Sequence, residues 1–554
     1  MGKRIWGSLD PFFETGPVLG RRVANSKFFT ALLRAAAFDE YHFFTHSKGA
    51  AADLLEQLAR LYPDRAAEGR FSAFTRLELP FALGRQDYHV FHLSDCMNYP
   101  FHVARLRNAF SREIFPVTGT THSLSYADHA GCFLKHLFAG TTARDAVAAT
   151  SETGRDVVAA YFDQLRRAYA LDGDRFHAPR LAVIPLGIEP GDFAPPAPDE
   201  RARARQALGV APEATALLVF GRIDHASKMD LLPLFRAMGR IFQDGAEKQS
   251  YCLILSGWIE DEEQGYLDTL TELAANLGLR LIVKPRPTEL QKREVYAAAD
   301  IFCSPADNPQ ETFGLTLLEA QAMGLPVIAS DFDGYRELVV PGATGLLIPV
   351  TGPRHTGIVD MLAPVACDNH YHLLLAQRYA VDVPALARAV AALAGDPGRR
   401  AAMGAAGRAH AEGFSWDAAI RRHLDLWEDL WRQDPGDRQA LREAAHPLHP
   451  PYARIFAGHP SGLLDAARRL VQSRAGRAVY RGQDFPVIYD TLAGFVDAAR
   501  VRTLLVLARN PVTAGTLCEK LTAAEPGLAP ELAEAAVLWA LKHDLLEYAA
   551  DGQP

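Results

Sequence analysis

Two glutamates, Glu311 and Glu319, are separated by seven residues in the stretch IFCSPADNPQETFGLTLLEAQAMGLPVIASDFDGYRELVVPGATGLLIP, residues 301–349. The first precedes a helix and the second lies more than one turn inside it, so at 1.5 Å rise per residue the carboxylates stand roughly 10 Å apart. That is too far for one acid/base pair. It suits the two ends of a nucleotide sugar, with hexose hydroxyls at one carboxylate and ribose hydroxyls at the other. Between them a helix opens near Phe313-Gly314, turns Leu315, Leu318 and Ala322 inward, and stops at Gly324 with Pro326 beyond. A helix that begins on glycine after a loop leaves backbone N–H groups pointing outward, and these suit an anion such as phosphate. Two isolated glutamates would read as a loop charge and a solvated helix residue.

Cations follow the same logic. ALLVFGRIDHASKMDLLPLFRAM, residues 216–238, reads as strand, Gly-Arg turn and helix, with Arg222 at the turn and Lys228 at the helix entrance. Such a pair makes sense where a diphosphate is held and its leaving charge stabilised. His122 ends the strand in FPVTGTTHSLSY, and DYHVFHLSD at 87–95 is another strand with a polar end. Gly16 lies in a loop with Pro17 and Gly20, after a strand at 3–9 and before a helix from about Asn25 to Ala37. Its spacing is not GxGxxG, and a structural turn accounts for it equally well. In DAVAATSETGRDVVAAYF, Ser151 caps a helix, and Arg155 reads as a surface salt bridge in preference to a phosphate ligand.

These elements alternate as strand and helix from Lys3 to Pro349, which predicts parallel sheets with ligands at strand ends. At 554 residues the chain exceeds one core and predicts about three domains. A net charge of −8 argues against an overall field that holds nucleic acid or acidic membranes. The six cysteines show no metal or redox spacing. With no apolar run of signal-peptide or membrane-span length, the expected location is cytoplasmic.

The Glu-x7-Glu spacing, the wording ETFGLTLLEAQAMGLPVIASD and the later GATGLLIP together resemble glycosyltransferase family 4, retaining enzymes of GT-B fold. The resemblance implies two facing Rossmann-like domains, at 1–195 (acceptor side) and 196–435 (donor side, with a terminal helix crossing back). It implies transfer of a hexose from a UDP- or GDP-sugar, with that nucleotide-diphosphate sugar as co-substrate and with no metal or other cofactor. Carried over residue by residue, Glu311 lies by the transferred sugar and Glu319 holds the ribose. Phe313, Gly314, Leu315 and Thr316 hold the diphosphate through their backbone, Arg222 and Lys228 neutralise it, and His122 faces the hexose. Gly16 approaches donor or acceptor. Five residues separate Arg222 from Lys228, where many members have four. Arg286 to Thr288 marks a strand-end loop for the base, and Trp416, Leu424 and Trp427 are expected to pack on the first domain.

The resemblance stops near Pro435. Residues 436–460 read as linker, Ser461 as the cap of a helix carrying Leu463, Leu464, Ala467, Leu470 and Val471, and the remainder as three helices in a winged-helix-like arrangement. The last of these, with Leu532, Ala535, Ala536 and Trp539 on its core face, offers Glu531 and Glu534 where a DNA reader needs basic or amide side chains. A protein, peptide or glycan acceptor, or a dimer held through this module, fits better. The competing reading is a GT-B-fold binding or regulatory protein; epimerisation of a nucleotide sugar is a third.

Overall fold

The computed structural model describes residues 2–9, 12–13, 20–260, 263–366, 368–446, 448–489, 492 and 494–549. Short apolar runs bounded by polar residues, Gly and Pro form two all-parallel sheets. The first contains β1 (Ile5–Ser8), β2 (Glu40–Thr45), β3 (Phe71–Thr75), β4 (Tyr88–Leu93), β5 (Val117–Thr120), β6 (Asp145–Ala149) and β7 (Arg180–Val183), in the order β3-β2-β1-β4-β5-β6-β7. The second contains β8 (Thr215–Phe220), β9 (Tyr251–Gly257), β10 (Arg280–Pro285), β11 (Ile301–Ser304), β12 (Val327–Ser330) and β13 (Gly345–Ile348), in the order β10-β9-β8-β11-β12-β13. β9, β11 and β12 are buried along their whole length. Helices cover both faces of such a sheet, which is why these strands are continuously apolar instead of alternating.

Each sheet reverses its winding once, between β1 and β4 and between β8 and β11. A crevice opens beyond the carboxyl ends of the strands at such a point. The loops that carry the candidate residues leave from there or from the next strand.

The helices that bear on the site are α1 (Gly20–Ala35), α2 (Glu152–Tyr169), α3 (Leu232–Gln243), α4 (Glu289–Ala298), α5 (Leu315–Ala322), α6 (Asp368–Ala376) and α7 (Trp416–Arg432). α1 starts a turn earlier than its apolar periodicity predicts: its buried face begins at Ala24 and Asn25, and the exposed Arg21 masks the first turn. α7 does cross back to the first lobe. Trp416, Ile420, Trp427 and Leu430 share a core with Trp6, Phe29, Tyr41 and Val90, Leu424 packs at its edge, and Trp427 Nε1 donates to Thr118 Oγ1 at 3.1 Å.

The two chain crossings between the lobes lie side by side. Ile188 N–H bonds Phe414 O at 2.8 Å, and Trp416 N–H bonds Ile188 O at 3.1 Å. A Cβ on Gly187 would lie 2.4 Å from Trp416 N, so only glycine permits this approach.

The stretch read as linker begins with a helix, Arg438–Glu443, in which Arg438 donates to Ser111 O at 3.1 Å, and His446 bonds Lys135 O at 2.8 Å. These residues are therefore part of the first compact unit. A second unit comprises residues 77–82 and 447–554. Here one expectation fails: no helix follows Ser461. The apolar pairs there suit either period, and Arg469–Gln472 is instead the central strand of a three-stranded antiparallel sheet with Val512–Thr513 and Leu546–Tyr548. Helices Ala498–Leu507, Ala514–Ala524 and Pro530–Lys542 pack their Leu504, Leu505, Leu517, Leu521 and Val537 together with Leu470. In the last helix the buried face runs through Ala533, Ala536, Val537 and Ala540, and Ala535 is exposed. Among the described residues, no helix is long and apolar enough to cross a membrane.

Candidate functional site

The loop after β8 is wound by an aspartate. Asp224 Oδ1 accepts from Ala226 N–H at 2.8 Å and Ser227 N–H at 3.0 Å, and Asp224 Oδ2 takes the Ser227 hydroxyl. An Asp bonding the backbone two and three residues on makes a compact turn. Lys228 follows this turn, and its Nζ reaches the Glu311 carboxylate.

The loop after β11 is stitched to it by buried polar groups. Asn308 Nδ2 donates to Ala226 O at 2.7 Å, and Asp307 Oδ1 accepts from Asp230 N–H at 3.1 Å. Arg222 Nη2 donates to Ser227 O and to Gln310 Oε1, both at 3.2 Å. Arg222, Lys228 and Glu311 are thus brought together as expected.

Beyond Glu311 the chain passes Phe313, buried, and turns at Gly314, whose φ is 105°. A Cβ there would sit 2.4 Å from the Tyr335 ring, so both the backbone and the space demand glycine. α5 then starts at Leu315 with no side-chain cap. Thr316 Oγ1, in its first turn, is enclosed without a hydrogen-bond partner. An uncapped helix start with an orphan hydroxyl in its first turn offers donors of the kind that suit an anion.

Glu311 itself is held down from the usual carboxylate range. Burial alone pushes its pKa up, but the charge and hydrogen bond of Lys228, the Phe313 N–H at 3.4 Å and the Tyr335 hydroxyl at 3.3 Å together outweigh it. Asp333, which the sequence reading missed, lies in the same neighbourhood. Its φ is 45°, its Oδ1 is enclosed without a partner, and burial followed by the charge of Glu311 pushes its pKa up to about 7. A non-glycine residue in the left-handed region is the signal that marks it, and sequence alone does not show that.

Glu319 is not the solvated helix residue that an isolated glutamate would be. It is buried at 8% exposure, with Oε1 taken by Lys292 Nζ at 2.7 Å and Oε2 by the Tyr296 hydroxyl at 3.0 Å. The Glu319 carboxylate is thus one half of an ion pair with Lys292, with lone pairs still to spare on its oxygens. Lys292 is fixed in turn over the rings of Phe193 and Phe220, at 5.0 and 5.3 Å. Both Lys292 and Tyr296 come from α4.

His122 stands at the end of β5 in the first lobe, its Nε2 2.7 Å from Ser94 O. It lines a small pocket with Asn25, Phe28, His92, Trp416 and His423. The next residue touches the other lobe: Ser123 Oγ donates to Gln310 O at 3.1 Å. Ser151, which caps α2 as expected, also donates to Thr312 O at 3.0 Å. The Gln310–Thr312 segment is thus hydrogen-bonded to the first lobe at both of its ends. Gly16 lies outside the described residues. Arg155 pairs with Asp156 at 2.8 Å and with Glu152, the salt-bridge use expected for it. Arg286 donates to Ile259 O at 2.9 Å with its guanidinium 5.0 Å from the Trp258 ring, and Thr288 caps α4.

Among the described residues, Asp224, His225 and Glu263 bring ligand-type atoms within 4.8 Å of one another. The Asp224 oxygens are committed to the turn, and His225 Nδ1 bonds Glu263 at 3.1 Å, so this group is accounted for as loop structure.

Comparison with known proteins gives the same direction. Residues 200–365 match the model of the glycosyl transferases group 1 family. D-inositol 3-phosphate glycosyltransferase of Actinosynnema mirum is 33% identical over 278 residues, covering 49% of this chain and 57% of that protein. The chain spans little more than half the length of the curated relatives it matches. Among solved structures, Anabaena Alr3699/HepE in complex with UDP has TM-score 0.53 at 17% identity, covering 77% of this chain and all of that one. A glycosyltransferase from Rickettsia africae ESF-5 has TM-score 0.52 at 15% identity, covering 78% and 100%. These likenesses establish the GT-B fold for the two Rossmann-like lobes.

Proposed function

We propose that the protein, whose residues 200–365 match the model of the glycosyl transferases group 1 family, moves a hexose from a nucleotide-diphosphate sugar to an acceptor with retention of anomeric configuration. The observation that carries this reading is that the loop bearing Arg222 and Lys228 is tied through Gln310 and Glu311 to the segment leading into the uncapped start of α5, with its unpartnered Thr316 hydroxyl. Two cations and the donors of a helix start, carried on adjoining loops, fit a departing pyrophosphate, whose charge grows as the glycosidic bond breaks.

Lys228 and Glu311 neutralise each other in the structure. On this reading the arriving diphosphate takes over Lys228 and frees Glu311 to orient the hexose and support positive charge at its anomeric carbon. His122 bounds the sugar from the first lobe, and the Glu319–Lys292 pair holds the ribose. Arg222, Lys228 and the backbone amides supply the positive charge that a divalent ion supplies in other transferases. A UDP-sugar is the first donor to try, because a structural neighbour was solved with UDP. A phosphorylated polyol is the first acceptor to try, because the curated relatives act on D-inositol 3-phosphate by name.

The test is calorimetric binding of UDP, GDP and ADP to the full chain and to Arg222→Ala. The wild type is expected to bind one of the three, and Arg222→Ala to weaken that binding about 10- to 100-fold, the worth of a charge-assisted contact of about 1.5–3 kcal/mol. A wild type that binds none of the three, or an Arg222→Ala that binds as tightly, overturns the reading.

A further inference from the structure

α6 lies past residue 365, where the family match ends. It delivers a fully buried side chain, His372, to the point where the lobes meet. His372 Nε2 is 2.8 Å from Ser125 Oγ of the first lobe, and its Nδ1 is 3.3 Å from Gln310 Nε2 of the second. Gln310 spends its remaining groups in the same place. Its Nε2 also donates to the Tyr126 hydroxyl at 3.0 Å, its Oε1 accepts from Arg222 Nη2 at 3.2 Å, and its backbone carbonyl accepts from Ser123.

A primary amide has two N–H donors and one carbonyl. Here both donors go to Tyr126 and His372, and the carbonyl goes to Arg222. For His372 Nδ1 to accept, its proton must sit on Nε2, where the Ser125 oxygen receives it. The far end of the segment is tied as well: Gln377 Nε2 donates to Asp230 Oδ2 at 3.2 Å, two residues past Lys228.

We propose that Gln310 and His372 are positioning residues that form a latch between lobe closure and the Arg222 guanidinium. The inference rests on the reading of Arg222 as a diphosphate ligand. An arginine side chain has many rotamers and is aimed only by its acceptors. Arg222 has two acceptors here, the Ser227 carbonyl on its own loop and Gln310. Gln310 in turn is held by Tyr126 directly and by Ser125 through His372. Opening the lobes removes the first-lobe partners at one stroke, and the amide that aims Arg222 is then free to turn away. The closed lobes therefore present a completed anion site, and the open lobes an incomplete one. Connected groups with two arrangements are the means by which such coupling travels.

Nucleotide release from UDP-, GDP- and ADP-glucose tests this, using whichever donor the full-length wild type turns over fastest, with binding of the matching nucleoside diphosphate measured alongside. Gln310→Leu and His372→Phe are expected to lower kcat about tenfold or more while the nucleoside diphosphate Kd moves less than about threefold, because the loss falls on closure. The double variant should be no slower than the slower single, since both cut one connection. His372→Gln keeps a neutral donor and acceptor and should recover much of the loss. Ser125→Ala, on the other lobe, carries the test if His372→Phe does not fold. Values of kcat within twofold of wild type for these variants, single losses that multiply in the double, or a Kd that rises by as large a factor as kcat falls overturns the latch. A wild type that releases nucleotide from none of the donors, or an Arg222→Ala with unchanged nucleotide binding, overturns instead the reading on which it rests.

Discussion

Asp333 offers the sharpest test of how the site is held together. Its Oδ1 is enclosed without a partner and its pKa is pushed up to about 7, first by burial and then by the charge of Glu311. A carboxyl whose folded pKa lies above its unfolded value of 3.8 binds its proton more tightly in the native state. Stability is therefore greatest below the unfolded value, falls as pH rises from about 4 to about 7, and is level above that. A shift of about three units at 1.36 kcal/mol each gives at most about 4 kcal/mol, and the residue's partial exposure reduces it. Asn has the same shape, tolerates the left-handed backbone and cannot ionise. Asp333→Asn should thus exceed wild type by only about 1 kcal/mol near pH 4.5 and by up to about 4 kcal/mol at pH 8. Urea unfolding followed by tryptophan fluorescence at pH 4.5, 6, 7 and 8 reads the difference, and a difference that stays flat or shrinks across that range refutes the reasoning.

The Lys228–Glu311 pair makes a second case. Lys228→Met leaves Glu311 buried and unpaired, at an expected cost of about 3–5 kcal/mol at pH 8 that diminishes as pH falls toward 4.5 and the carboxyl takes up a proton; adding Glu311→Gln should regain most of it. Chemical denaturation of both variants decides this, and a double variant as unstable as the single contradicts it. In the first lobe, Trp427→Ala should cost about 3–5 kcal/mol in the same assay, because it empties a core position fully shielded from solvent and deprives Thr118 of its donor.

The parts of this site that the sequence shows plainly are those written within one loop. Glu311, Gly314 and the start of α5 lie within a few residues, and Arg222 with Lys228 sits in a single strand-turn-helix unit. What escaped depends on distant partners. Nothing near Glu319 announces that Lys292 and Tyr296 will hold both its oxygens, and Gln310 gains its meaning only from Tyr126 and His372, 184 and 62 residues away. Asp333 is marked by its backbone angle, which an aspartate in a loop does not disclose. The failed helix after Ser461 has the same origin: Leu470 and Val471 satisfy a helical spacing locally, and their pairing with residues 512 and 547–548 is what makes them a strand.

The pairing of Ile188 with Ser415, tightened by the bare backbone of Gly187, has a mechanical consequence. Two covalent tethers bonded flank to flank behave as a door hinge with one pin: they resist sliding and shearing apart but yield to bending about their shared line. Sliding of one half against the other would have to break these bonds first. A bulky residue at position 187 would pry the tethers apart and leave the halves to wobble.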